Sequence, residues 1–255
     1  MPQCHLSDRS LVRLSGPDVR PFLQGLLTAD VNLLTPQAPL YAGLLSPQGK
    51  TLFDLFLFAD AEDVLLDTDA PRAEALAKRL TMFRLRRKVE IAAEPALQVH
   101  QSWGKDGNDP RFPAAGTRTL APAGTASDAT LEHWHAHRLP LGLPASDELG
   151  SDDLLWLETN ARELNGVSFT KGCYTGQENT ARMHHRDKLR KRLLPLSTTA
   201  EGPVMAGEKQ AGELRGAPHA GLRMALIRMD FAHHPLTVAN HPAPLHRPPW
   251  LPAGD

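Results

Sequence analysis

The run Leu52-Phe53-Asp54-Leu55-Phe56-Leu57-Phe58 is apolar at both alternating sets of positions. Successive strand side chains point to opposite faces, so such a run forms a strand covered on both faces and demands a layered fold. The one carboxylate in it, Asp54, costs several kcal/mol to bury unless it finds a partner. It either faces a central ligand cavity or sits at an edge and meets solvent or an arginine. The neighbouring segments supply the layers. Leu11 to Leu14 reads as a strand. A helix follows from Pro17, with Ser15 as N-cap and Val19, Phe22, Leu23, Leu26 and Leu27 on one face. Leu40 to Leu45, a Pro47-Gln48-Gly49 turn and the Leu52 run form a hairpin. Val64 to Asp67 reads as a further strand, and Asp69 caps a second helix carrying Ala73, Leu76, Ala77 and Leu80. Strands alternating with single helices predict an α+β layer with a mixed or antiparallel sheet.

A second segment carries chemistry. Lys171-Gly172-Cys173-Tyr174-Thr175-Gly176-Gln177-Glu178 places one of two cysteines between two glycines, beside a lysine. Thr175 and Glu178 have capping-box spacing, which predicts a helix start just beyond the cysteine. The helix dipole, Lys171 and Arg182 would all favour thiolate over thiol at Cys173. Gly172 and Gly176 suit a tight backbone. The segment reads either as a reactive or ligand cysteine on a shaped turn, or as a turn that merely contains one.

This segment, followed by Ala181-Arg182, resembles the signature of the YgfZ-type folate-binding proteins. These are relatives of the glycine-cleavage aminomethyltransferase, or T-protein. Ser15-Gly16-Pro17-Asp18, Phe22-Leu23-Gln24-Gly25, Thr28-Ala29-Asp30-Val31, Tyr41 to Leu45, Glu158-Thr159-Asn160 and Gly166 to Phe169 are similar to other parts of that family, in the same order. The resemblance implies T-protein-like folate-binding lobes around a central cavity, with a small C-terminal β-barrel. It implies tetrahydrofolate or a one-carbon derivative as ligand. It also implies support for iron–sulfur cluster assembly or repair, tRNA-modifying clients included. Expected partners are folate and iron–sulfur assembly or client proteins. The domains it suggests are an N-terminal α+β lobe at 1–95, an irregular shortened subdomain at 96–130, a return to the lobe with the signature loop at 131–189, the barrel at 190–239 and a proline-rich tail at 240–255.

Four further residues enter through the resemblance. Trp134 matches a tryptophan associated with the folate site, although ordinary core packing would serve a ring equally. Glu158 and Asn160 would line the cavity, with Glu158 accepting from pterin N–H groups. Asp54 falls where aminomethyltransferases carry two adjacent aspartates. Phe53 replaces one of them, which favours folate binding over an aminomethyltransferase-type one-carbon transfer, the alternative reading. Gln177 and Glu178 would order the loop.

His133, His135 and His137 alternate and would share one face of a strand; no metal site is assigned. The Arg138 guanidinium is a weak candidate for a ligand carboxylate. Two basic runs, Arg84-Arg86-Arg87-Lys88 and Arg182-Arg186-Lys188-Arg190-Lys191-Arg192, read as solvated faces or as surfaces for an acidic partner, a polyglutamate tail or tRNA. Hydrophobic content of 41%, charged content of 22% and a net charge of −1 fit a globular protein with no global field for nucleic acid, so direct nucleic-acid binding is not expected. Two cysteines make no disulfide framework. With no secretory signal and no apolar stretch of about twenty residues, no membrane partner is expected and the default location is cytoplasmic.

Overall fold

The computed structural model describes residues 1–185 and 189–252. An antiparallel five-stranded sheet forms the centre of the N-terminal part. Its strands are β2 (Arg9–Ser15), β3 (Leu40–Leu45), β4 (Thr51–Asp60), β5 (Asp63–Asp69) and β6 (Glu90–Ala93), in the order β3-β4-β5-β2-β6. Phe53, Leu55 and Leu57 of β4 join one core with Val19, Phe22 and Leu23 of helix α1 (Val19–Gln24) and Leu76 and Leu80 of helix α2 (Ala73–Arg84). Phe56 and Phe58 face the other way, against Tyr41, Trp156 and Tyr174. The double covering read from the apolar run therefore has helices on one side and the rest of the chain on the other.

That other side is built from distant segments. β1 (Gln3–His5), β7 (Leu97–Ser102) and β8 (Thr117–Pro122) form a three-stranded antiparallel sheet, so residues 96–130 contribute two strands. Helices α3 (Leu131–Arg138) and α4 (Ser146–Leu149) follow. Residues 131–138 are helical and not extended. Thr130 caps the helix by accepting from the His133 N–H at 3.3 Å, while His133 Nδ1 accepts from the Thr130 N–H. The expected helix through Leu154 to Leu164 is one 3₁₀ turn, Trp156–Thr159, ended by Asn160 at φ +65°. Helix α5 (Gln177–His185) closes the signature segment. Strands β9 (Lys191–Ser197), β10 (Val204–Ala206), β11 (Lys209–His219), β12 (Leu222–Arg228), β13 (Thr237–Val238) and β14 (His241–Pro242) form a six-stranded sheet with its own core. The proline-rich end does not hang free over residues 240–252. Ala243 and Leu251 are buried in that core, and Trp250 Nε1 donates to Leu141 O at 2.7 Å.

Buried charge ties the segments together behind β4. Asp67 on β5 receives Arg9 Nε at 2.6 Å and Arg118 Nε at 2.7 Å. Arg9 also reaches Asp54 at 3.3 Å, and Ser146 Oγ donates to Asp54 at 2.5 Å. Asp109 holds Arg111, and Glu148 holds Arg138 through both guanidinium ends at 2.9 Å. Asp67 is fully buried between two cations from β2 and β8. Asp67→Ala strands both, and is expected to cost about 3–5 kcal/mol in urea denaturation.

Candidate functional site: the cysteine loop and the closed centre

The signature loop is docked at both ends, and the cysteine stands between the docks. On one side the Lys171 ammonium is buried in a cage of backbone carbonyls. It donates to Gln24 O at 2.7 Å, Leu27 O at 2.5 Å and Ala29 O at 3.0 Å. Gln24 ends α1, where the helix presents unpaired carbonyls and the negative end of its dipole. Burial pushes the Lys171 amine down to about 8. The preceding chain is tied to the same place, since Thr28 Oγ1 donates to Gly166 O at 2.6 Å and the Ser168 N–H donates to Thr28 O at 2.9 Å.

On the other side Tyr174 is buried beneath Lys171, whose Nζ lies 5.0 Å from the ring centre. Burial pushes the Tyr174 phenol above its ordinary range. Gly176, at φ +84°, lies against the β3–β4 turn. A Cβ there would stand 2.6 Å from Ser46 O, so only glycine fits. Gly49 across the contact has φ +80°, and Asn179 Nδ2 donates to Gln48 O at 3.0 Å. Between the docks, Cys173 is exposed while the other cysteine, Cys4, is buried. Burial pushes the Cys4 thiol up to about 11.

Several expected roles change. Lys171 anchors the loop through its carbonyl cage. Arg182 pairs with Glu178 at 2.9 Å, one helical turn away, with both side chains exposed. That pair replaces the Thr175–Glu178 capping box: α5 begins at Gln177, so Glu178 lies in its first turn and its carboxylate turns outward to Arg182. Gln177 orders the turn through its backbone, donating to Tyr174 O at 3.2 Å. Gly172 has open space about it and no positive φ, so its backbone does not require glycine. Of the second basic run, Arg186 and Lys188 lie outside the described residues, and Arg192 is spent on Asn160 and Glu163.

Asp54 and Trp134 do come together, at a central void lined also by Arg9, Phe56, Arg111, Arg118, Arg138 and Ser146. The void measures about 20 Å³, room for one water. Asp54 lies on a central strand and meets an arginine there. Burial pushes its carboxyl up, but Arg9 and the Ser146 hydrogen bond overcome this and hold it below the ordinary carboxylate range. The Phe56 face that a flat ring would use is covered by guanidinium groups, Arg118 at 3.8 Å and Arg111 at 4.8 Å from its centre. Trp134 packs on Trp103 and His137. The residues at the centre do not fit a folate. Phe53 has no bearing on that centre, because it points to the helix side of β4, where Arg72 covers it.

Glu158 and Asn160 stand apart from the void. Glu158 accepts from the Leu155 N–H at 3.2 Å, and burial raises its carboxyl above the ordinary range. Asn160 is buried and splices β9 to this turn, donating to Leu193 O at 2.7 Å and accepting from Arg192 at 3.1 Å. Arg9, Arg111, Arg118 and Ser146 were missed as site residues. Their only signal in the sequence is the demand that Asp54 and Asp67, inside apolar strands, must be partnered. An open cleft of about 580 Å³ adjoins the void through Arg118 and is lined also by Arg13, Phe58, Leu65, Glu94, Asn108 and Leu120.

The three histidines of α3 diverge to separate partners. His137 stacks on Trp103, His133 caps its own helix, and His135 stacks on His219 at 4.3 Å while accepting from Arg138 Nε at 2.8 Å.

The residues 190–253 match the family described as the CAF17 C-terminal beta-barrel domain. The mouse iron-sulfur cluster assembly factor IBA57, mitochondrial, is 35% identical over an alignment of 292 residues, covering 91% of this chain and 79% of that protein. The human protein of the same name is 37% identical, covering 75% of this chain and 65% of its own length. The Neurospora crassa homolog is 32% identical, and the match covers 54% of it. The aminomethyltransferase T of the glycine cleavage system from Bartonella henselae superposes with a TM-score of 0.76 at 16% identity, over 98% of this chain and 86% of that one. This last likeness is one of fold: T-protein-like lobes with a C-terminal β-barrel. The expectation of a T-protein-related family tied to iron–sulfur cluster assembly holds, with IBA57 rather than YgfZ as the name the matching relatives carry. One expectation is corrected: these relatives are named mitochondrial, which overturns the cytoplasmic default; lack of a secretory signal does not distinguish these compartments. Among the described residues no helix is long and apolar enough to cross a membrane.

Burial, Arg138 and His219 push His135 down to about 3, against 6.5 in an unfolded chain. The unfolded state therefore binds the extra proton first, and native stability falls as pH drops through 6.5. Urea denaturation at about pH 5 is expected to show a loss of ~1–2 kcal/mol relative to neutral pH, which His135→Gln removes.

Proposed function

The chain belongs to the IBA57 family of iron–sulfur cluster assembly factors, and we propose that it works there by presenting Cys173 as a single thiolate ligand to a cluster in transit. The observation that carries this reading is the pairing of an exposed thiol with rigidly docked flanks: Lys171 caged on one side, Tyr174 and Gly176 seated on the other. A thiolate is the ligand iron–sulfur clusters take. One thiolate cannot hold a cluster, so the remaining ligands come from an assembly or client protein. A surface thiol on a fixed loop lets two proteins share the cargo. Proton loss from Cys173 to solvent accompanies formation of its bond to iron, and the cage keeps Lys171 out of that exchange.

Folate has a second, separate place in this reading. The centre leaves no room for it, whereas the adjoining cleft of about 580 Å³ has the space, apolar side chains at Phe58 and Leu120, and carboxylates at Asp60 and Glu94, both paired with Arg13. A reduced folate would lie there, outside the ancestral cavity, with Arg118 shared between the two. An aminomethyltransferase reaction is not supported, since Asp54 is locked to Arg9 and Ser146.

Cys173→Ser is expected to leave folding unchanged and to reduce transfer of a [4Fe–4S] cluster to a recipient apoenzyme at least about tenfold, read by recovery of the recipient's activity; a Cys4→Ser control should retain it. Undiminished transfer by the Cys173 variant contradicts the reading. Tryptophan-quench titration with tetrahydrofolate is expected to show binding that Phe58→Ala weakens and Trp134→Phe leaves intact. The opposite pattern would return the ligand to the centre.

A further inference from the structure

We propose that the end of α2 and the turn joining it to β6, residues 82–88, form a docking knob for a protein that presents an apolar socket rimmed by carboxylates. The proposal rests on nothing at Cys173. Three large apolar side chains are displayed within four positions: Met82 is 70% exposed, Phe83 43% and Leu85 84%. Apolar groups clustered in this way on a surface mark interaction sites, and Met, aromatic residues and Arg are the types enriched in protein interfaces. Around the tip stand the exposed side chains of Lys78, Arg86, Arg87 and Lys88. Among the described residues none of these four has an ion-pair partner. The whole chain carries −1, so this collar is a local concentration of charge. An uncovered basic collar around an apolar tip is complementary to an acidic rim.

The knob is also set before any partner arrives. Leu85 has φ +52° and ψ −116°, a conformation that a leucine rarely adopts. It is held there from both sides. The Asp18 carboxylate accepts from the Lys88 N–H at 2.7 Å, Arg84 donates to Val89 O at 2.8 Å, and the Arg87 N–H donates to Arg84 O at 3.0 Å. Gly16, at φ +117°, lies so close that a Cβ would stand 2.4 Å from Lys88 O. A display fixed in advance lowers the ordering cost of association. Beside the tip lies an open recess of about 540 Å³, lined by Asp18, Arg84, Leu85, Arg86 and Arg87. A knob next to a hole interlocks with a protein surface. A bilayer has no projection to enter the recess, and Asp18 in its wall opposes the phosphates of lipid or nucleic acid.

The test places a photo-reactive phenylalanine analogue at position 82 of the full chain, with the same group at exposed Lys209 as control, and cross-links in cells of the source organism. The expected product is a protein adduct missing from the control, mapped to a segment with Asp and Glu around apolar residues. With that protein purified, Leu85→Gly is expected to weaken binding about tenfold or more. Its thermal midpoint should stay equal or rise, because glycine accepts φ +52° without strain. Arg86→Glu combined with Arg87→Glu should weaken binding and flatten its salt dependence. Four results would overturn the proposal: an adduct to lipid or nucleic acid, adducts identical to the control, an affinity unmoved by Leu85→Gly, or binding to phosphatidylcholine–phosphatidylserine vesicles that Leu85→Asp abolishes.

Discussion

Asp67 buried between Arg9 and Arg118 is the contact on which the arrangement of the lobes depends. A fully enclosed carboxylate is tolerated only when cations meet it, and these two come from β2 and β8, far apart in the chain. Satisfying it forces the three-stranded sheet to close over the β4–β5 face. That closure brings Ser146 to Asp54 and Arg111 to Phe56, and it leaves a void with room for only one water. In a fold shared with an aminomethyltransferase, this chain's buried charge pairs fill its centre.

The signature loop is attached to the same sheet from its rim, through the end of α1 and the β3–β4 turn. The loop's charged residues serve its own geometry: Lys171 is consumed by three carbonyls and Arg182 by Glu178. What remains available is the sulfur of Cys173. Under the proposed function, rigidity on both sides matters because a ligand shared between two proteins has to be offered at a fixed position.

Local features of the sequence were legible where a short-range rule decides them. The double covering of Leu52 to Phe58 follows from alternation, and the glycine at 176 from a turn that must approach another backbone. The site at the centre was half legible. Asp54 announced that it needed a partner, but Arg9 and Ser146 lie 45 and 92 positions away, and no local pattern names them. The segment 131–138 was misread because alternate histidines imitate a strand, while the Thr130 cap that starts the helix is a weaker local mark. Lys171 was misread for a different reason. A lysine two positions from a cysteine looks like an activating charge until the end of α1, folded against it, offers better acceptors.

The fold holds a thiol on its surface while buried charge pairs fill its centre. The deciding measurement is the rate of iodoacetamide alkylation at each cysteine of the native protein, resolved by mass spectrometry. Cys173 should alkylate in the native protein without unfolding, whereas buried Cys4 should wait for global unfolding. A Cys173 protected as strongly as Cys4 would contradict the account.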